Sequence, residues 1–81
     1  MYRLTEKGEE YRRSVNSSMR RGWKPTVKAR VLLDIGDGRQ PLKAVLTEAR
    51  WYGEKGLTEY LYGLESLENG GFIEEVEEED V

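Results

Sequence analysis

The chain contains no cysteine and no histidine. Lack of cysteine excludes disulfides and thiolate metal sites. Lack of histidine removes the commonest metal ligand, the commonest general base and every Ser-His or Cys-His catalytic arrangement. An enzyme built from what is left would need paired carboxylates or an activated lysine, and no spacing singles any out. No apolar run approaches the roughly 18 residues a membrane span requires, and the N-terminus does not read as a signal peptide. The expectations are therefore no catalysis, no metal, no cofactor, no membrane and a cytoplasmic setting.

What is present is charge. The 81 residues are 37% hydrophobic and 36% charged. That length predicts a single domain over residues 1–81, near the lower size at which a core stabilises itself, so association with a partner would help it. The charge is divided between the two ends. Residues 1–50 carry twelve Lys and Arg against six Asp and Glu, a surplus of +6, whereas residues 51–81 carry one Lys against ten acids, or −9. Two readings follow. A basic half can present a cationic face to a polyanion, or the two halves can face each other within one chain or across a dimer.

Tyr2-Arg3-Leu4 reads as a short extended piece. Thr5 caps a helix that runs to about Val15, and Gly8 inside it costs about 1 kcal/mol relative to alanine, which implies that it packs on something. Asn16-Ser17-Ser18 is a loop signal. From Pro25 to Ile35 two periods coexist. Val27, Val31 and Ile35 lie four apart, as in a helix with Pro25 at its start and Gly36 as its stop. Val27, Ala29, Val31, Leu33 and Ile35 also alternate, and Asp37-Gly38 could turn a hairpin into Leu42 to Thr47. The helix is the preferred reading because Ala29, Arg30, Leu32 and Leu33 are good helix formers. Arg39-Gln40 is a short extended bridge. Leu42, Val45, Leu46 and Ala49 form a helical stripe closed by Trp51-Tyr52-Gly53, and Glu54-Lys55-Gly56 is a tight turn.

Leu57, Leu61, Leu64 and Leu67 then define the face of a helix capped by Thr58. Gly63 within it allows a neighbouring backbone to come close. Asn69-Gly70-Gly71 ends that helix and Phe72 to Val76 is an amphipathic strand. The acidic tail, Glu74 to Asp80, is a solvated end. The fold class expected is mainly α with a small antiparallel β-sheet (α+β).

The run from about Val27 to Val76 resembles a winged helix domain. LLDIGDGRQPLKAVLTEA is similar to that family's first helix, bridging strand and second helix, and GLTEYLYGLESLENGGFIEEV to its third helix leading into the wing. The phrase YRLTEKGEEYRRSV resembles the second wing strand and closing helix, but it stands at residues 2–15, ahead of the core. The resemblance implies a winged-helix-like three-helix core with an N-terminal strand and helix. Residues 1–16 would be that strand and helix, 17–25 a basic linker, and 26–81 the helix-turn-helix core and wing strand. It also implies that Tyr2-Arg3-Leu4 pairs antiparallel with the strand near Phe72 to Val76, in one chain or between two.

In this family the third helix often enters the DNA major groove. Its outward positions here would be Thr58, Glu59, Tyr62, Glu65, Ser66 and Glu68. Leu57 to Asn69 holds no Lys or Arg, so contact with double-stranded DNA falls to the basic first half: Arg12, Arg13, Arg20, Arg21, Lys24, Lys28 and Arg30, assisted by Lys43 and Arg50. Trp23 stands among the linker cations, where a ring can stack or wedge, or can anchor the linker to the core. The function expected is a small DNA-binding, transcription-regulator-like module. The alternative is a protein-interaction module of the same fold, with a homodimer as one form, using Trp51, Tyr52, Tyr60 and Tyr62.

Overall fold

The computed structural model describes residues 1–39 and 41–77, and of Leu42 only the backbone. The order is strand β1 (Tyr2–Leu4), helix α1 (Glu6–Arg20), helix α2 (Val27–Gly36), helix α3 (Pro41–Asn69) and strand β2 (Ile73–Glu75). The chain is thus mainly helical with one two-stranded antiparallel sheet, the class expected from its sequence. Gln40 of the expected bridge, the Leu42 side chain of the expected stripe, and the tail beyond Glu77 lie outside the described residues.

The strands pair within one chain, Tyr2 opposite Glu75, Arg3 opposite Glu74 and Leu4 opposite Ile73. Thr5 ties this sheet to the helices. Its hydroxyl caps α1 by accepting from the Gly8 amide at 3.1 Å and donates to the Gly71 carbonyl at 2.6 Å. Its amide donates to the Phe72 carbonyl at 3.1 Å. Gly8 is the reason the chain's two ends can touch. A Cβ at that position would lie 2.0 Å from the Phe72 carbonyl oxygen, so only glycine lets β2 lie this close to α1.

All three helices stop in the same way. Gly22, Gly38 and Gly71 take positive φ of 91°, 81° and 77°. Each donates to the carbonyl three residues back, and the residue after it donates five back: Trp23 to Ser18, Arg39 to Asp34 and Phe72 to Leu67. This 6→1 and 5→2 pair satisfies the last helical carbonyls, and the left-handed residue it needs favours glycine. These stops correct three expectations. α1 runs through Asn16-Ser17-Ser18 to Arg20, because those residues weaken a helix without breaking it. Gly36 is helical and Gly38 is the stop. The Asp37-Gly38 signal caps a helix and turns no hairpin. Thr26, rather than Pro25, opens α2, its hydroxyl accepting from the Ala29 amide at 3.2 Å.

α3 bends once. Gly53, at φ 68° and ψ −153°, is non-helical and divides it into arms over 41–52 and 54–69. That conformation is almost confined to glycine. The bend lies where Trp51-Tyr52-Gly53 was expected to close a helix, but Glu54-Lys55-Gly56 is helical, and the second arm starts before Thr58.

α2 holds the centre of the core. Val31, Leu32 and Ile35 are buried with Val45, Tyr60, Leu67 and Ile73, and Tyr2, Leu4, Tyr11 and Phe72 pack around them. The second arm of α3 crosses α2 at Gly63, where a Cβ would sit 3.1 Å from the Lys28 Cα. Two leucines depart from their expected faces. Leu61 is 49% exposed and Leu46 62% exposed. In the second arm the fully buried Tyr60, with Gly56, Gly63 and Leu67, faces the core. Leu61, one position on, is swung about 100° away.

Candidate functional site

The nine cations expected at an interface separate into three groups. Arg12, Lys28 and Arg30 are held by the fold. Arg12 donates to the Gly36 carbonyl at 3.4 Å and to Asp37 Oδ1 at 3.1 Å, which fastens α1 to the end of α2. The Lys28 ammonium lies over the rings of Tyr11 and Phe72, 5.9 and 5.4 Å from their centroids. Arg30 pairs with Glu48 Oε1 at 2.7 Å and lies 5.6 Å from the centre of the Tyr52 ring. Cations placed over aromatic faces or against half-buried carboxylates serve the packing. Helical geometry brings all three inward, which a count of basic residues does not reveal.

The second group is Arg13, Arg20, Arg21 and Lys24. All four are exposed. Among the described residues their side chains make no ion pair and no hydrogen bond. Arg13 and Arg20 stand seven residues apart on one face of α1, Arg21 caps its end, and Lys24 follows in the turn. Trp23, 71% exposed, stands between Arg21 and Lys24. It lines a shallow cleft of about 260 Å³ with Tyr11, Val15 and Ala29, so its ring borders the core without entering it. The third group, Lys43 and Arg50, is exposed on the first arm of α3, one face again at a seven-residue spacing.

A larger groove of about 850 Å³ lies between the end of α1, α2 and the first arm, reached by Met19, Pro25, Arg39, Lys43 and Glu48. Glu48 Oε2 is buried there with no hydrogen-bond partner among the described residues. Arg39 reaches Asp34 Oδ1 at 3.2 Å, and the Tyr60 hydroxyl donates to Asp34 Oδ2 at 3.5 Å. The Tyr60 hydroxyl is held above its ordinary pKa by burial first, then by the charge of Asp34, its hydrogen bond with Asp34, and the charge of Glu48. Nothing in the local sequence marks Arg39 and Glu48, because each meets its partner through tertiary contact.

The outward positions expected on the third helix, Thr58, Glu59, Tyr62, Glu65, Ser66 and Glu68, are all exposed. Of the expected aromatic cluster, Tyr60 is core, whereas Trp51, Tyr52 and Tyr62 are 75%, 61% and 68% exposed. The two oppositely charged halves pack together but scarcely pair by charge. Of the ion pairs among the described residues, Arg3 with Glu74 joins the first fifty residues to the rest. Pairs of Arg12, Arg30 and Arg39 close within the first half, and that of Lys55 with Glu59 within the second.

Among the described residues no group of three or more Asp and Glu is placed to hold a metal ion. Among those residues no helix is long and apolar enough to cross a membrane. Compared with protein-family models, curated proteins and solved structures, the chain matches none of them.

Proposed function

We propose that the chain is a small winged-helix-like DNA-binding module of the transcription-regulator kind, working in the cytoplasm, that grips the phosphate backbone through the end of α1. One observation carries this reading. Arg20, Arg21 and Lys24 gather at the end of α1 and in the following turn, with Arg13 two turns back on the face of Arg20, all exposed and without an ion pair among the described residues, beside the exposed ring of Trp23. Like charges held this close repel one another, and a polyanion relieves that repulsion while releasing its own counterions. Helices α2 and α3 followed by strand β2 support the winged-helix part of the reading. The exposed carboxylates of Glu59, Glu65 and Glu68 set it apart from a module that reads bases with its third helix, since they repel phosphate.

Four phosphate contacts imply that affinity for a nonspecific duplex falls about a hundredfold between about 50 and about 200 mM salt. Fluorescence anisotropy of a labelled duplex measures this. The paired reversal Arg20→Glu and Arg21→Glu removes binding at the lower salt. Absence of a shift at about 50 mM salt, or equal binding by the reversed variant, overturns the reading. The exposed apolar residues of α3 favour the second reading in that event, a module that binds protein and no nucleic acid.

A further inference from the structure

We infer that a second copy of this chain covers the outer face of α3. The first arm of each copy lies against the second arm of the other, about a two-fold axis near Gly53. The inference does not depend on nucleic-acid binding.

Each arm carries a second stripe, pointing away from the core, at the spacing that normally marks a buried helix face. On the first arm it is Lys43, Leu46, Thr47 and Arg50, and on the second Thr58, Leu61, Tyr62 and Glu65, all exposed. Both centre on leucine. The first is cationic at both ends, and the second is acidic at Glu65, with Glu59 and Glu68 exposed beside it. Lys43 and Arg50 have no ion-pair partner among the described residues. The second arm's own cation, Lys55, reaches Glu59 only at 4.0 Å. Each stripe is therefore complementary to the other and repelled by itself, so the arms of two copies cross-match while like arms do not.

The apex of the bend supplies the centre of the interface, with Trp51 75% exposed. Because both stripes lie on one chain, a two-fold pairing uses each stripe once per copy and closes on itself.

Sedimentation velocity on the full chain at about 100 μM, a concentration well above a micromolar Kd, and about 50 mM salt tests this. The expected species has the mass of two copies. Lys43→Glu and Glu65→Lys each weaken it about tenfold, since these two residues lie about equally far from Gly53 on facing arms and every broken pair occurs twice, with helix content by circular dichroism unchanged. The double variant, Lys43→Glu with Glu65→Lys, restores the dimer by exchanging the charges. A monomer throughout overturns the inference, as does a double variant as weak as the single ones. Growth beyond two copies also overturns it, because a closed two-fold pairing leaves no stripe free to take a third copy. The paired reversal at Arg20 and Arg21 leaves the dimer intact, which separates this result from the nucleic-acid experiment; loss of the dimer in that variant would place the contact on α1 and overturn the inference.

Discussion

Gly8 and Tyr60 are the residues whose environment decides most. At an ordinary exposed helical position, Gly→Ala stabilises by about 1 kcal/mol. Gly8→Ala has the opposite sign here, because its Cβ would lie 2.0 Å from the Phe72 carbonyl oxygen, the acceptor for the Thr5 amide. Displacing β2 and weakening that hydrogen bond costs about 2–4 kcal/mol. A urea titration reads the sign directly, and a stabilised variant would show that the close approach is absent. Tyr60 gives a pH dependence. Its pKa is raised above the ordinary 10.0, so the folded chain keeps a proton that the unfolded chain releases as pH climbs past that value. Its contribution is complete below pH 10.0 and is lost above it. Tyr2, raised by burial and by the charges of Glu68 and Glu75, acts in the same direction. Tyr60→Phe is expected to cost about 1 kcal/mol or less at neutral pH, since its hydrogen bond is long at 3.5 Å. Urea titrations at about pH 8 and about pH 11 should show the variant losing less stability between them than the parent chain.

The elements depend on the meeting of the two chain ends. β1 supplies the only described strand partner of β2, the Met1 carbonyl accepts from the Val76 amide at 2.8 Å, and Thr5 both caps α1 and bonds to the Gly71-Phe72 turn. Deleting residues 1–5 removes the pairing, the cap and the cover over Ile73 together. A loss of about 2 kcal/mol from a domain this small lowers the melting temperature by about 10 °C, and an unchanged value in a thermal scan would refute the role assigned to β1. This pairing was expected from the resemblance of residues 2–15 to a wing strand and closing helix, within one chain or between two, and each strand alone would leave an open edge. The length of α1 was not. Asn16, Ser17 and Ser18 lower helix propensity, but burial of Val15 and the stop at Gly22 carry the helix across them. The ambiguity over Val27 to Ile35 had a physical source too. A segment packed by α1, α3 and β1 is apolar on several sides, and such a run fits either period.

Across the whole molecule, charge is segregated instead of neutralised. Arg12, Lys28 and Arg30 are absorbed by packing, the cations at the end of α1 are left free, and most acids of the second half face solvent. This arrangement is what gives both proposed contacts, with phosphates and with a second copy, their dependence on salt. An uneven charge distribution was visible in the sequence, but not which cations remain available.

Taken by itself, the sequence determined the mainly helical class and several caps and stops, because caps, glycine stops and amphipathic periods act over a few residues. Tertiary structure decided which face of each helix is the inner one. Periodicity sets the angle between side chains along a helix; the direction of each arm after Gly53 and the bulk of Tyr60 choose the stripe that meets α2 and leave Leu46 and Leu61 outside.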